Sequence, residues 1–491
     1  MTTSNGDRRV EVAGVDVSMC HFIDGRRIDS PTAFETHSPN DWHNILGEVA
    51  RGDDELASLA MAAATSAADD WAALGPMGRA EVLHRLADAI DERIEEISLV
   101  ETHDVALKVE SMRARLAHRG AENFRNYAEL AARHVDREWN SKGTRNRVIR
   151  MPAGPAVVIT PWNAPWMLAT WKVAPALAAG NPVVLKPAEW SPLSASLLGD
   201  LAKEAGVPPG VLNIVQGVGE EVGAALVSDR RARRISFTGS PETGRAIGRA
   251  AAANLVPFTA ELGGKGPLVV FADADIEAAA TMAARQYDDS GQVCLAGTRL
   301  LVEESIADEF LTRFNTHVDN LVLGPSTDSN TDIAPMIHPD HVARVLGFIE
   351  RARANGDEVL RGGHLSARGD LWVEPTLIRP RDNRSEIVQR EVFGPVLTFQ
   401  TFTTEKAAIA LANSTDYGLT AIVYTTAQDR AVRVGEAIRA GTLWVNTFLI
   451  RDLTAPFGGC GISGMGREGG HYALEFHADL KTLQILQNST H

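Results

Sequence analysis

The chain has 491 residues, which is too many for one hydrophobic core and predicts two or more domains. Hydrophobic residues make up 44% and charged residues 23%, as in a folded protein, and the net charge of −15 argues against nucleic-acid and anionic-membrane partners. The N-terminal residues lack the apolar core of a signal peptide, and no stretch reaches the roughly 20 apolar residues of a membrane span, so we expect a cytoplasmic protein.

Helical patterns follow a polar start. The first fifteen residues predict a loose arm, and residues from about 53 to 105 have the periodicity of helices. Apolar side chains in this stretch recur every three or four residues and would share one face, at Leu83, Leu86, Ile90, Ile94 and Ile97. A second helical stretch is predicted from about residue 111 to 134.

After residue 155, short β-branched runs alternate with helical segments. A first series has runs at 156–160, 182–186, 211–215 and 234–238, and a second has runs at 267–271, 299–302, 396–399, 421–424 and 443–446. This alternation predicts an α/β fold with two doubly wound parallel-sheet domains that meet near residues 256–261. Weak alternation at 480–486 predicts a further strand at a sheet edge or a subunit interface.

The chain contains three cysteines, Cys20, Cys294 and Cys460, which are too few for a disulfide scaffold. Cys294 follows a Ser-Gly turn and is a candidate nucleophile, since a reducing compartment would leave it a free thiol. A lone cysteine also packs well as a small buried hydrophobe, and the residue alone leaves both interpretations open. His338 and His341 lie three residues apart without further ligands, so no metal site is predicted.

Two motifs follow predicted strands, where open α/β sheets bind ligands. Lys186 could donate to ribose hydroxyls and Glu189 could accept from them. A carboxylate at that place repels a 2′-phosphate and favours NAD over NADP. Asn163 offers a neutral amide donor for a developing oxyanion. A surface Lys-Glu pair and a turn asparagine are the alternatives.

Three further motifs combine polar groups with glycine turns. Gly239 and Ser240 join a predicted strand to a predicted helix, an arrangement that binds phosphate. Glu261 stands in an apolar run, where burial would raise its pKa towards that of a useful general base. Glu391 could accept from sugar hydroxyls, and Phe393 could pack on a flat ring. The alternatives are a capping or turn glutamate at 261 and a core aromatic beside a solvated acid at 391–393.

The order and spacing of seven motifs resemble those of the aldehyde dehydrogenase superfamily, over about residues 22–486. The motifs are Thr160-Pro161-Trp162-Asn163, Lys186-Pro187-Ala188-Glu189, Phe237-Thr238-Gly239-Ser240, Glu261-Leu262-Gly263-Gly264-Lys265, Gly291-Gln292-Val293-Cys294, Glu391-Val392-Phe393-Gly394-Pro395 and Pro456-Phe457-Gly458-Gly459. The resemblance implies NAD-dependent oxidation of a small-molecule aldehyde to the acid by a homodimer or homotetramer.

The resemblance also implies three structural parts. Residues 1–134 and 149–257 would form an NAD-binding domain. Residues 258–446 would form a catalytic domain, with a substrate-loop segment at 447–479. Residues 135–148 and 480–491 would form a small β oligomerisation element.

Carried over to this sequence, the resemblance implies that Cys294 is the nucleophile, Asn163 the oxyanion donor and Glu261 the base that activates water. The implied reaction passes through a thiohemiacetal and a thioester on the cysteine. Contacts with NAD are implied for Thr160, Pro161, Trp162, Lys186, Glu189, Gly239, Ser240, Glu391 and Phe393.

Segments at 291–295, 450–457 and 466–470 are most similar to the 2-hydroxymuconic semialdehyde dehydrogenase group, which oxidises ring-cleavage semialdehydes. This similarity implies that Arg119 and Arg451 bind an acidic end of the substrate, with Phe457 beside it, because a guanidinium pairs with both carboxylate oxygens. Structural ion pairs are the alternative for both arginines. The group usually has another arginine where this chain has Thr454, which leaves open an uncharged aromatic or aliphatic aldehyde.

Two other functions remain to be weighed. A CoA-acylating dehydrogenase would pass the acyl group to CoA, but it would not need the water-activating base that Glu261 supplies. A non-catalytic homologue would keep the fold for binding alone, but such a chain should have lost the nucleophile, the oxyanion donor or the base.

Overall fold

Two largely parallel sheets form the centre of the computed structural model, which describes residues 6–487. The first sheet has eight strands, in the spatial order Gly464–Met465, Phe258–Glu261, Arg234–Thr238, Ala156–Ile159, Val183–Lys186, Leu212–Ile214, His21–Ile23 and Arg26–Ile28. The five strands between 156 and 261 are parallel to one another, and the outer strands pair antiparallel. Strand order reverses beside Ala156–Ile159, and such a reversal creates a crevice for ligands.

The second sheet has seven strands, in the spatial order Glu358–Arg361, Thr376–Arg379, Val396–Phe402, Arg299–Glu303, Pro267–Val270, Thr420–Tyr424 and Thr442–Val445. Only the first of these pairs antiparallel with its neighbour. The central strands are buried throughout, as expected for parallel strands covered by helices on both faces. The predicted pair of doubly wound α/β domains is therefore confirmed.

Helices cover both sheets. Those before and within the first sheet are Asp54–Ala73, Gly75–Glu92, Ile94–Val105, Val109–Ser111, His118–Ala132, Pro165–Ala178, Leu193–Glu204, Ala224–Ser228 and Pro241–Ala253. Those that follow are Ile276–Ala284, Ala307–Asp319, Pro339–Asn355, Glu386–Gln389, Glu405–Ala412, Gln428–Ala437 and Gly470–Phe476. π-Helical turns lie at Met112–Leu116 and Gly219–Gly223, and 3₁₀ turns at Arg285–Gly291, Glu304–Ile306 and Gly461–Ser463.

The long helical stretch at 53–105 forms three consecutive helices. Asp53 caps the first, with its side chain accepting a hydrogen bond from the Leu56 amide at 3.0 Å. Leu83, Leu86 and Ile90 are completely buried in the core against the first sheet, as their spacing predicted.

The polar start of the chain is more ordered than predicted. Strands Arg9–Val12 and Val15–Ser18 form an antiparallel hairpin, so the expected loose arm is wrong for this part, while residues 1–5 lie outside the described residues. A second hairpin joins Ala33–Ser38 to Asp41–Ala50. Val12, Val15 and Val17 are buried in the main core, which accounts for the order of the first hairpin.

The predicted boundary between residues 257 and 258 does not coincide with the limit of the first sheet. Phe258–Glu261 pairs parallel with Arg234–Thr238, and Gly464–Met465 adds to its other edge. The first sheet thus extends four residues past the predicted boundary and includes a strand from the C-terminal part of the chain.

A third, antiparallel sheet consists of Arg137–Ser141, Thr144–Pro152 and Ala478–Leu486. It combines the two segments that were predicted to form the oligomerisation element, although residues 488–491 lie outside the described part. Ala478–Leu486 is an edge strand, paired on one side only within residues 6–487.

Candidate active site

A cavity of about 140 Å³ lies where the two sheets meet. The first sheet contributes Thr238 and Glu261 at the carboxyl ends of its strands, whereas Cys294 lies before the amino end of Arg299–Glu303. Much of the remaining wall is apolar, formed by Leu107, Leu116, Met167, Leu168, Leu449 and Leu453. All three predicted catalytic side chains line this cavity, together with the three predicted substrate residues Arg119, Arg451 and Phe457.

Cys294 is presented by an unusual turn. Asp289, Ser290 and Gly291 have positive φ angles of 51°, 55° and 66°, and two of them are not glycine. Consecutive left-handed residues cost conformational energy and persist only where the surrounding contacts hold them. The Ser290 hydroxyl donates to the Ala334 carbonyl, and a Cβ at residue 291 would clash with the Gly394 carbonyl. The turn is therefore fixed against the loop that contains Gly394.

Asn163 is tied directly to this turn. Its side-chain amide donates to the Gln292 carbonyl at 2.9 Å, two residues before the cysteine. The Gln292 side chain in turn accepts from the Ile337 amide at 3.0 Å. Because a carboxamide has two N–H groups, the second one stays available to a ligand oxygen in the cavity.

Glu261 ends a buried strand and is 5% exposed. Neither of its carboxyl oxygens has a hydrogen-bond partner among the described residues. Burial, and then the negative charge of Glu468, raise the pKa of Glu261 well above its ordinary value, with Lys172 and Arg467 opposing the rise. A carboxyl group with free oxygens and a raised pKa is suited to accept a proton from water.

The Cys294 thiol has its pKa raised to about 12. Burial is the main cause, followed by the negative charges of Glu391 and Glu261, while Arg451 favours the thiolate. The thiol form therefore predominates near neutral pH in the protein without ligands.

A buried ion pair beside Glu261 was not predicted from the sequence. Lys172 donates to Glu468, which also accepts from the Trp171 indole at 2.7 Å and from the Ser236 hydroxyl at 3.1 Å. The only available signal was a single lysine within the apolar helix Pro165–Ala178. Within this pair the Glu468 carboxylate raises the pKa of Glu261, and the Lys172 ammonium opposes that effect.

Arg451 is the most distinctive group in the cavity. Its guanidinium carbon lies 5.1 Å from the Trp171 ring centroid and 4.0 Å from the Phe457 ring centroid. It is half-buried and forms no direct ion pair within the described part of the chain; burial lowers its pKa, while the charges of Glu261 and Glu468 oppose that shift. A guanidinium without a direct ion pair can pair with an anionic ligand.

Arg119 and Thr454 differ in position. Arg119 lines the cavity and lies 3.2 Å from Glu122, one turn further along its helix. Thr454 is not part of the cavity wall, and its hydroxyl donates to Asp452 at 2.7 Å. The threonine at this position therefore supplies no cavity group in place of an arginine.

Several residues predicted to contact NAD lie together at strand ends of the first sheet. The buried Lys186 ammonium donates to Glu189 at 2.9 Å, which holds the glutamate next to the carboxyl edge of the first sheet. Thr160 is buried, and its hydroxyl has no partner among residues 6–487. Pro161 follows directly in the turn, and the Trp162 ring packs edge-on against Phe393 at 5.3 Å.

Ser240 caps the helix Pro241–Ala253, with its hydroxyl accepting from the Thr243 amide at 3.1 Å. The amide of Gly239 donates to the Glu261 carbonyl at 3.1 Å, so this turn is tied to the strand that ends in Glu261. Pro241 has no N–H and the Gly244 amide donates to the Ser240 carbonyl at 2.9 Å, so the Glu242 amide is the first-turn donor left for a phosphate. Another glycine-rich segment, at 217–223, contains the π-helical turn Gly219–Gly223, in which Glu221 pairs with Arg51.

Glu391 and Phe393 lie on a loop that packs against Gly263 and Gly264, next to the cysteine turn and outside the cavity wall. Glu391 accepts a hydrogen bond from the Gly264 amide at 2.9 Å, and burial raises its pKa to about 7. A Cβ at Gly263 would clash with the Glu391 carboxylate, and one at Gly264 would clash with the Cys294 carbonyl. The two glycines thus let the Glu391 loop and the cysteine turn approach the same strand end. The Glu391 carboxylate keeps acceptor capacity for a sugar hydroxyl, which is the role predicted for it.

Two residues that hold the Glu391 loop were missed as functional candidates. His341 contacts the Phe393 carbonyl through Nε2 at 2.7 Å, and Arg344 donates to the carbonyls of Val392 and Glu391. Phe393 itself has a positive φ of 61°, so its backbone needs such support. The histidine pair at 338 and 341 thus has structural contacts, and no cluster of three potential metal ligands occurs in residues 6–487.

The Aldehyde dehydrogenase family matches residues 27–483, and the chain belongs to this family. A betaine aldehyde dehydrogenase of Cereibacter sphaeroides is 39% identical over 470 residues, covering 95% of this chain and 96% of the relative. A 2-hydroxymuconic semialdehyde dehydrogenase of a Pseudomonas species is 38% identical over 480 residues, covering 95% and 99%. The predicted family and its semialdehyde relatives are thereby confirmed.

Solved structures give the same result. A betaine aldehyde dehydrogenase of Staphylococcus aureus in complex with NAD⁺ superposes with a TM-score of 0.93 at 34% identity, covering 97% of this chain and 99% of that one. An indole-3-acetaldehyde dehydrogenase of P. syringae, with NAD⁺ and IAA, has a TM-score of 0.94 at 36% identity, with 97% and 98% covered. The chain is an NAD-dependent aldehyde dehydrogenase. None of the helices within residues 6–487 is both long and apolar enough to span a membrane.

Proposed function

We propose that the chain oxidises an aldehyde that also bears a carboxylate, such as 2-hydroxymuconic or a related ring-cleavage semialdehyde. The observation that carries this proposal is the Arg451 guanidinium, which forms no direct ion pair among the described residues and lines the same cavity as Cys294. A carboxylate on the substrate would form that ion pair. Arg119, on another wall of the cavity, supports the same end of the substrate.

The proposed reaction begins at Cys294. The thiol passes its proton to a water molecule, and its sulfur bonds to the aldehyde carbon while the C=O π electrons move to the oxygen, which gives a thiohemiacetal. The free N–H of Asn163 and the Cys294 backbone amide hold the oxygen as it gains negative charge. Arg451 assists because its charge favours the thiolate over the thiol.

NAD, when bound, takes the hydride from the thiohemiacetal carbon and leaves a thioester on Cys294. Glu261 then accepts a proton from water, and the resulting hydroxide attacks the thioester carbon. The carbon–sulfur bond breaks, the acid leaves and the thiol is restored. The two unpartnered oxygens of Glu261 support this role, because no other described group competes for them.

A quaternary ammonium aldehyde fits this cavity poorly, although betaine aldehyde dehydrogenases are among the relatives. Such a cation is bound by aromatic faces. Here the Arg451 guanidinium already lies over the rings of Trp171 and Phe457, and its charge repels a second cation. The same geometry favours an anion.

An uncharged aromatic or aliphatic aldehyde is the second candidate. The apolar walls formed by Leu107, Met167 and Leu449 favour it, and Thr454 adds no positive charge to the cavity. The P. syringae relative, named as an indole-3-acetaldehyde dehydrogenase, has the same fold.

A kcat/KM panel with NAD decides between the two candidates. It compares 2-hydroxymuconic and succinic semialdehydes with benzaldehyde and hexanal. We expect Arg451→Gln to lower kcat/KM for the acidic aldehydes by about tenfold to a hundredfold, as for a lost hydrogen-bonded charge pair, and to leave the neutral aldehydes within about threefold. Arg439→Gln is the matched control, since Arg439 does not line the cavity. Equal losses on both classes would assign Arg451 to structure and overturn the proposal.

We also propose that the third sheet joins copies of this chain into a homodimer or homotetramer. Its edge strand Ala478–Leu486 is paired on one side only within the described residues and exposes apolar side chains at Leu480, Leu483, Ile485 and Leu486. An exposed apolar edge strand is a template for pairing with another chain. On this proposal, residues 1–134 and 149–261 bind NAD, and residues 262–446 with the loop 447–479 bind the aldehyde.

A further inference from the structure

The helix that supplies Arg119 bears a second arginine at the outer end of the cavity. Arg115 and Arg119 both line the catalytic cavity, and both also line a separate surface cavity of about 340 Å³. These two arginines therefore stand where the catalytic cavity opens towards the surface. A ligand that enters from this side would pass them before it reaches Cys294.

The charged groups around this opening differ in their pairing. Arg125 pairs with Asp91 at 2.5 Å and with Asp88 at 2.6 Å, and Arg119 lies 3.2 Å from Glu122. Arg115 makes no side-chain hydrogen bond or ion pair with any residue that the structure describes. Of the arginines around the outer cavity, Arg115 thus has the guanidinium that is free to bind a ligand.

The backbone around Arg115 departs from a regular α-helix. Arg115 lies in the π-helical turn Met112–Leu116, immediately before the regular helix His118–Ala132. Single π-helical turns shift the side chains that follow and occur often at functional sites. Arg115 and Arg119 are four residues apart, a spacing that places side chains on the same side of a helix.

One acidic residue opposes this arrangement. Asp289 also lines the catalytic cavity, and the charges of Arg115 and Lys108 lower its pKa against the larger effect of burial, which raises it. Asp289 forms no ion pair with Arg115 in the part of the chain that the structure describes. The charge of Asp289 therefore acts on the opening of the cavity, but Asp289 forms no hydrogen bond or ion pair with the Arg115 guanidinium among the described residues.

We propose that Arg115 forms an outer anion site, one turn before Arg119, that binds a second acidic group of the substrate at the end remote from the aldehyde. The proposal rests on the proposed function, in which Arg451 binds a carboxylate deeper in the cavity. It extends the substrate class from aldehydes with one acidic group to aldehydes with two. Arg115 is then a determinant of specificity that takes no part in the chemical steps.

The test compares Arg115→Gln with the wild-type enzyme on three aldehydes. These are hexanal, succinic semialdehyde with one carboxylate, and 5-carboxymethyl-2-hydroxymuconic semialdehyde with two. Because Arg115 is exposed, we expect its loss to raise KM for the dicarboxylate by about three- to tenfold, with kcat unchanged. KM for hexanal should stay within about twofold. Arg125→Gln is the matched control, since Arg125 lines only the outer cavity.

A second readout separates failure of this inference from failure of the proposed function. With hexanal as substrate, the inhibition constant of adipate, a simple dicarboxylate, is measured for wild-type enzyme, Arg115→Gln and Arg451→Gln. A weaker inhibition in both variants supports two anion sites, even if the enzyme prefers neutral aldehydes. The outer site does not exist if Arg115→Gln leaves both the KM for the dicarboxylate and the inhibition constant of adipate unchanged. The same conclusion follows if the variant changes KM for all three aldehydes by the same factor.

Discussion

At the scale of single residues, burial and nearby charges raise the pKa of both reactive groups. Burial and nearby carboxylates raise the pKa of Cys294 to about 12, and burial with the Glu468 charge raises the pKa of Glu261. The thiolate is the nucleophilic form of cysteine, so the Cys294 thiol must lose its proton before it can attack.

The raised pKa of Cys294 predicts slow alkylation. An acid whose folded pKa exceeds its unfolded value stays protonated in the fold, so stability from this group is complete below about pH 8 and declines as pH rises towards 12. Iodoacetamide should label Cys294 about a thousandfold more slowly at pH 7 than a free cysteine of pKa about 8.5, and the rate should rise about tenfold per pH unit. Mass spectrometry of the labelled peptide checks this, and a plateau below pH 10 would contradict it.

Replacement of Glu261 should separate the two halves of the reaction. In Glu261→Gln, we expect a burst of NADH, up to one equivalent per subunit, followed by a steady-state rate about 10²- to 10⁴-fold below wild type, because the thioester forms but is not hydrolysed. Stopped-flow absorbance of NADH measures both phases. Glu309→Gln is the control, since Glu309 lies on the exposed helix Ala307–Asp319. Loss of the burst itself would place Glu261 in the first half-reaction.

The sequence indicated single residues only where they belonged to a motif. Cys294, Asn163 and Glu261 could be singled out because glycine turns and strand ends flank them, and the fold brings all three to one cavity. Lys172 and Glu468 could not, because they lie 296 positions apart and neither has a local pattern. Their pairing exists only once the two parts of the chain have packed together.

At the scale of elements, the loop at 391–393 depends on the helix Pro339–Asn355. His341 and Arg344 hold three consecutive carbonyls of that loop, and Phe393 has a left-handed backbone. The sequence showed the histidine but not its partner, since a contact with a backbone carbonyl leaves no signature in residue type.

Loss of that support should weaken cofactor binding. We expect His341→Ala to raise KM for NAD by about two- to tenfold, the value of one hydrogen bond, and to change kcat by less than twofold. Initial-rate kinetics at saturating aldehyde measure the separate effects on KM for NAD and on kcat. Arg351→Gln, on the same helix and paired with Glu386, should leave KM for NAD unchanged. A fall in thermal stability without a change in KM would assign His341 to structure alone.

At the scale of the whole molecule, periodicity and alternation predicted most of the fold. The predicted runs at 156–160, 182–186, 211–215 and 234–238 all contain strands of the first sheet. The boundary near 257 was harder to place, because Phe258–Glu261 is a short buried strand whose membership depends on its neighbour. The hairpin at 9–18 was missed because the polar residues around its buried valines masked their alternation.

The exposed edge strand predicts a concentration-dependent assembly. Leu480 is 65% and Leu486 is 72% exposed, so the double replacement Leu480→Asp and Leu486→Asp should place charges in the subunit contact. Light scattering after gel filtration should give a multiple of 52.8 kDa for the wild type and a smaller mass for the variant. Val432→Asp is the control, since Val432 is an apolar residue, 54% exposed, on the helix Gln428–Ala437. A wild-type mass of one chain would overturn the proposed assembly.

The strand Phe258–Glu261 has a consequence for how this chain folds. On one side this strand pairs with Arg234–Thr238. On its other side it pairs with Gly464–Met465, which comes from the C-terminal part of the chain and forms the edge of the first sheet. The first sheet therefore keeps this edge only while the part of the chain that follows the second sheet stays packed against it, which couples the two domains. We expect one cooperative unfolding transition in spite of two cores, and newly made chains that gain a competent site only after residue 465 has been synthesised.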